Sequence, residues 1–176
     1  GTAMYFAAWK LLLPAEWQFE GRKKRPPTDP VNILLSLGYT YLYNNILSLL
    51  KIHGLHPYIG YYHQTRHAHA TLASDLMEEF RCPIIDHLVL AILQQKKIHL
   101  SHFSMTPNED YPCQILPDGL KIFTQFFEKK ISTMIRHPQT GYEVDYRRCL
   151  ELQILQFLKY LRGEQDLYQP YTIVNG

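Results

Sequence analysis

Asp29-Pro30-Val31-Asn32-Ile33-Leu34-Leu35-Ser36-Leu37-Gly38-Tyr39 opens the longest periodic run in the chain, and its reading decides the fold class. Asp29 suits a helix N-cap, because a short carboxylate can accept a first-turn backbone N–H. Pro30 suits the first helical position, where its missing N–H costs nothing. Apolar residues recur through Leu34, Leu37, Leu42 and Leu49, and Gly54 offers a left-handed stop. The pattern predicts one long helix from Pro30 to that stop, buried on a broad face.

On its N-terminal side, residues 14–30 shift in composition. Gly21, the four bases Arg22-Lys23-Lys24-Arg25 and several prolines predict an extended basic loop rather than a domain linker. Before Pro14, residues 1–13 place Met4, Phe6, Trp9 and Leu12-Leu13 at helical spacing. On the C-terminal side, His53 to Gly60 is rich in turn residues and leads into a histidine-rich loop. Helices are predicted over about 71–81 and 84–97, with Pro83 at their junction, and over about 118–136 and 144–161. His137-Pro138-Gln139-Thr140-Gly141 separates the last two, and Gly163 closes the final one. Between Ile98 and Pro117 at most a small β-hairpin fits. The expectation is an all-α fold of six or seven helices, a single helical domain over residues 1–176.

Composition narrows the function classes. A chain of 176 residues, 46% hydrophobic, can bury one core without disulfide or metal staples. No run of about 18 uncharged apolar residues occurs, so no membrane span is expected. Cys82, Cys113 and Cys149 are odd in number and form no C-x-x-C pair, which predicts reduced thiols in a cytoplasm rather than a disulfide framework or zinc knuckle. The opening residues carry neither an initiating Met nor a basic signal region, so we expect a fragment of a longer chain. A formal net charge of +2 does not by itself announce a nucleic-acid binder.

The chemistry-bearing stretch is Asp75-Leu76-Met77-Glu78-Glu79-Phe80-Arg81, preceded by Gly60-Tyr61-Tyr62-His63. Asp75, Glu78 and Glu79 stand at i, i+3 and i+4, so a helix gathers their carboxylates on one face. Like charges at that spacing disfavour an isolated helix, and a divalent cation or a basic partner reverses the sign. Imidazole with carboxylates suits Mg²⁺ or Mn²⁺ better than a structural zinc that lacks thiolates. On spacing alone the same acids also read as a solvated helix face.

Four stretches together resemble the CRISPR adaptation integrase family. Asp29 to Tyr39 is similar to its D-P-V-N-x-L-L-S-x-G-Y signature, and Gly54 to His63 to its G-L-D-P-Y-I-G-F-L-H segment. Asp75 to Arg81 matches D-L-M-E-x-F-R, and Tyr168-Gln169-Pro170-Tyr171 matches a closing Y-x-P-Y. His56 stands where the family often has Asp, and Tyr61-Tyr62 replaces a Phe-Leu type pair. The resemblance implies a helical domain and a Mg²⁺- or Mn²⁺-dependent endonuclease and integrase of antiviral defence. Such an enzyme acquires spacers by attack of a DNA 3′-hydroxyl on a phosphodiester of the CRISPR repeat.

It further implies His63 and Glu78 as metal ligands, with Asp75 in support. A third ligand, a glutamate, is expected immediately before Gly1, so this fragment alone is expected to be inactive, and the family's N-terminal β domain is absent from it. His63 as general base on the attacking hydroxyl is the other role open to an imidazole that titrates near neutrality. Arg22, Lys23, Lys24, Arg25 and Arg66 are the expected contacts to DNA phosphates. Implied partners are double-stranded DNA (prespacer and repeat), a small ferredoxin-like companion subunit and a second copy in a homodimer, in a prokaryotic cytoplasm. The alternative is a non-catalytic DNA-binding or assembly module.

Overall fold

The regular structure consists mainly of helices α1 (Thr2–Leu12), α2 (Pro30–Ile52), α3 (Thr71–Phe80), α4 (His87–Gln94), α5 (Pro117–Ile131) and α6 (Tyr146–Leu161). Two short antiparallel hairpins accompany them, β1 (Phe103–Met105) with β2 (Cys113–Ile115), and β3 (Met134–Arg136) with β4 (Glu143–Asp145). This is a computed structural model, and it describes residues 2–23, 26–55, 71–106 and 110–172. The chain is mainly helical, as its periodicity predicts.

Helix α2 carries the signals that begin and end it. Asp29 Oδ1 accepts the backbone N–H of Asn32 at 2.9 Å, the N3 hydrogen bond that makes an N-cap. At the far end Gly54 adopts φ +72. The Leu55 N–H reaches back to the Leu50 carbonyl at 2.9 Å, so the last turn satisfies its carbonyls through a left-handed glycine. By length and composition α2 is apolar enough to cross a membrane, but Val31, Leu34, Leu35, Leu42, Ile46 and Leu50 are buried inside the protein.

The chain divides into two compact units, one of Gly1–Tyr39 with Ile85–Lys129 and one of Thr40–Ile84 with Lys130–Gly176. In the first, α1 folds its aromatic residues inward. Phe6 and Trp9 meet Phe19 with ring centroids 6.1 and 5.9 Å apart, and Trp17 sits edge-on to Phe103. Asp86, 4% exposed, accepts hydroxyl hydrogens from Tyr5 at 2.9 Å and Tyr39 at 2.6 Å. Such donors are what a buried carboxylate requires.

Beside Tyr39, Gly38 lets α2 approach Ile85, because a Cβ there would lie 2.5 Å from Ile85 Cγ2 and 3.3 Å from its Cδ1. A β-branched neighbour has little freedom to move aside. Gly38→Ala is therefore expected to lower stability by about 1–2 kcal/mol, overpacking outweighing the gain in helix propensity. A fall in the urea midpoint checks this.

In the second unit, α6 starts on an Asp145 cap whose Oδ1 accepts the Arg148 N–H at 2.7 Å. It buries Cys149, Leu150, Gln153, Ile154 and Phe157. Leu72, Ala73, Leu76 and Phe80 form the buried stripe of α3. The segment after α6 returns to that helix, and Tyr171 stacks on Phe80 with centroids 4.6 Å apart.

Two features depart from the sequence expectation. Residues Arg81–Asp86 form a π-helical segment, so Pro83 lies inside a continuing helical path rather than at a break. The wider i→i+5 turn accommodates a residue that has no N–H to give. The predicted helix to Arg136 ends instead at Ile131, and a second hairpin follows in which Met134 pairs with Asp145 and Arg136 with Glu143. Ile131, Met134 and Ile135 fit helical spacing, and three-residue strands are too short to show alternation. The turn settles the outcome. Gly141 takes φ +71, and the His137 N–H bonds to the Tyr142 carbonyl at 2.8 Å. His137, which the sequence places in the stretch between two helices, is buried.

The cysteines are free thiols, Cys113 and Cys149 buried and Cys82 half-buried. Burial first, and then the Asp29 and Glu79 charges respectively, push Cys113 up to about 11 and Cys149 up to about 12, so both stay protonated at neutral pH.

Candidate functional site

The three acids of α3 share a helix but do different work. Glu79 turns inward. Its Oε1 accepts the Tyr168 hydroxyl at 2.6 Å and its Oε2 the Tyr171 backbone N–H at 2.7 Å. Gln153 of α6 donates to the Tyr168 oxygen at 3.0 Å and to the Gln169 carbonyl at 2.6 Å. The Y-x-P-Y stretch is thus a clamp that ties the C-terminal segment to α3.

Burial raises the Glu79 carboxyl above its ordinary value of 4.5, and the bonds from Tyr168 and Tyr171 pull the other way. Burial, then the Glu79 charge, also raises the Tyr168 phenol. A carboxyl with a raised folded-state pKa contributes stability in full below its unfolded value and loses it as pH rises through the folded value. The urea midpoint of the wild type should therefore fall relative to that of Glu79→Gln as pH rises above the ordinary carboxyl value of 4.5. A gap that moved the other way would contradict the burial assigned to this group.

Asp75 is half-buried and lines, with Glu79, a cavity of about 400 Å³ walled by Leu72, Phe157, Tyr160 and Tyr168. Glu78 points outward. Its side chain is 62% exposed, and both its oxygens accept from Nη1 of Arg81, at 2.6 and 2.7 Å. The carboxylate already pairs with Arg81, and the part-buried Glu79 clamp fixes the helix beneath it.

The basic loop belongs to the other unit. Arg22 Nη1 donates to Asn32 Oδ1 at 2.8 Å and Nη2 to Ser36 Oγ at 3.1 Å, while the guanidinium covers the Tyr39 ring at 5.4 Å. Asn32 is fully buried. Its Oδ1 also accepts the Lys23 N–H at 2.8 Å, and its Nδ2 donates to the Gly21 carbonyl at 2.8 Å and Asp29 Oδ2 at 2.6 Å. Arg22 therefore ties the loop to α2, and the Lys23 side chain is exposed. Lys24, Arg25, His63 and Arg66 lie outside the described residues. Among the described residues no three His, Cys, Asp or Glu side chains are placed to hold a metal ion; Glu78 is the described residue of the expected pair.

Sequence reasoning missed the working partners of these groups. Gln153 reads as an ordinary polar residue on α6, and nothing near it in sequence announces Tyr168. Asn32 stood in the quoted signature, where its fit at N3 beside an Asp cap was the available signal.

Residues 1–129 match the family model described as CRISPR associated protein Cas1. The chain is 38% identical over 170 residues to the CRISPR-associated endonuclease Cas1 3 of Thermus thermophilus, covering 97% of this chain and 50% of that protein. It is similar to a solved Cas1 protein from Thermotoga maritima, with a TM-score of 0.83 and 28% identity over 94% of this chain and 50% of that one. It is also similar to a chain of a Cas6-RT-Cas1–Cas2 complex, with a TM-score of 0.85 and 26% identity over 99% of this chain and 19% of that one. The chain spans about half the length of the curated relatives it matches. With the family model matched over residues 1–129, in a helical fold shared with a solved member, the chain belongs to the CRISPR-associated Cas1 family.

Proposed function

We propose that this chain is the helical catalytic half of a DNA integrase that inserts spacers into a CRISPR array in the prokaryotic cytoplasm. The observation that carries the reading is Glu78: an exposed carboxylate, paired with Arg81, on a helix that the part-buried Glu79 clamp holds fixed, in a chain of the Cas1 family. His63 and Glu78 would hold Mg²⁺ or Mn²⁺, with Asp75 in support and a glutamate preceding Gly1 as the third ligand. Glu78 fits one place in such a set, since hard oxygen donors suit both ions.

Bound there, the ion would supply Lewis acidity toward the scissile phosphate and its leaving oxygen. The chain's own groups position the reactants. Exposed Lys23, with Lys24, Arg25 and Arg66, would hold backbone phosphates of prespacer and repeat DNA. Arg22 shapes that loop from within. A companion subunit, ferredoxin-like by the family resemblance, and a second copy of the chain would complete the assembly; the Cas1–Cas2 pairing named in the similar complex supports the first of these.

The test is strand transfer by a protein that includes the segment preceding Gly1. It should join a 3′-hydroxyl DNA end to repeat DNA in Mn²⁺ and fail in chelator. A folded, metal-binding protein that holds DNA yet joins nothing would leave the assembly-module reading in its place.

A further inference from the structure

A second cavity, of about 430 Å³, lies in the unit that carries α3 and shares no lining residue with the one beside Asp75. The later turns of α6 and the β3–β4 turn line it, with His137, Gln156, Lys159 and Arg162 among the side chains. Two of these carry buried polar atoms that meet no hydrogen-bonding partner, His137 Nε2 and Gln156 Oε1. Buried polar atoms are rarely left so, because each has given up water without replacement.

The chemistry of the two atoms can be assigned. His137 is 2% exposed, and its Nδ1 accepts the Thr140 N–H at 3.3 Å. In a neutral ring the proton then belongs to Nε2, and burial lowers the His137 pKa, which keeps the ring neutral. The orphaned atom is an N–H donor in need of an acceptor. At Gln156 a half-turn of the amide brings its NH₂ to the orphaned position, so that atom too can donate.

Charge at the rim favours an anion. Lys159 and Arg162 are exposed there, against one lining carboxylate, Glu164, which stands 4.0 Å from Arg162. His53 also lines the cavity, but its Nε2 is engaged by Glu151 at 3.0 Å. The partial negative charge at the end of α6 opposes an anion. The N–H groups of Arg162, Gly163 and Glu164 already bond to the Leu158, Tyr160 and Lys159 carbonyls, which blunts that opposition.

We infer that this cavity binds a phosphate group, Lys159 and Arg162 supplying charge at its rim while the His137 ring and the Gln156 amide, whose orphaned atoms are closed off from solvent in this structure, turn to donate to its oxygens. A phosphate oxygen accepts several N–H bonds at once and suits a donor-rich wall backed by cations. The phosphate belongs either to a nucleic-acid backbone or to a free anion, and the inference stands whether or not the integrase reading does.

Nitrogen-15 spectra of the histidine side chains, recorded on the 176-residue chain, test it. Titration with inorganic phosphate should shift the His137 Nε2 resonance saturably. The double replacement Lys159→Ala with Arg162→Ala should weaken that response at least about tenfold. Both replaced residues are exposed, so the fold should persist, whereas replacing buried His137 would risk the hairpin. A short DNA duplex that moves the same resonance assigns the cavity to backbone phosphate, and a response to inorganic phosphate alone assigns it to a free anion. No shift with either, or equal affinity in the double variant, overturns the inference.

Discussion

Glu78→Gln should lower metal-dependent strand transfer by more than about a hundredfold while the protein stays folded, since even residues that merely support a metal ligand cost tenfold to a hundredfold when removed. The side chain is mostly exposed and pairs with Arg81 at the surface, so the stability change should stay within about 1 kcal/mol. That contrast gives the experiment its force. A structural role would lower the unfolding midpoint and activity together, whereas a ligand role lowers activity and Mn²⁺ affinity alone. The assay uses the protein carrying the segment before Gly1, with calorimetric Mn²⁺ titration beside strand transfer. Wild-type joining and wild-type Mn²⁺ affinity in the variant would remove Glu78 from the site.

Asn32→Ala should produce the largest loss of stability, about 3–4 kcal/mol, because one buried side chain supports four hydrogen bonds and two of their partners, Arg22 and Asp29, are charged. Removing it orphans the Lys23 N–H and the Gly21 carbonyl together. The basic loop then loses its attachment to α2, so DNA affinity should fall as well, although Asn32 is too deeply buried to touch DNA. Urea unfolding measures the first effect, and a salt-dependent binding assay the second. Loss of stability with unchanged DNA affinity would show that the loop's bases do not serve DNA.

This variant also shows what the quoted signature encodes. Asp29 caps α2, Asn32 holds the loop, Gly38 makes room for Ile85, and Tyr39 satisfies buried Asp86. Those positions secure architecture. The helices were legible because their signals are local: the cap at Asp29, the glycine stops at Gly54 and Gly163, and the 3.6-residue spacing of apolar side chains. Less of the candidate site could be read in advance. The spacing of Asp75, Glu78 and Glu79 gave their common helix, but it could not say that Glu79 turns inward while Glu78 turns out. That division depends on Tyr168, Gln153 and Arg81, and only Arg81 is near in sequence. The β3–β4 hairpin was missed for a different reason, since its few residues satisfy helical and strand spacing equally.

The clamp on Glu79 has a temporal side. Its two partners follow it by 89 and 92 residues, so a ribosome elongating at about 5–20 residues per second needs roughly 5–18 seconds to supply them after α3 has been made. Until then Glu79 lacks its donors, and Phe80 is without the ring that stacks on it. The unit bearing the candidate site therefore closes after the unit that is complete at Lys129, and slow, non-local closure of this kind leaves apolar surface open to chaperones during synthesis.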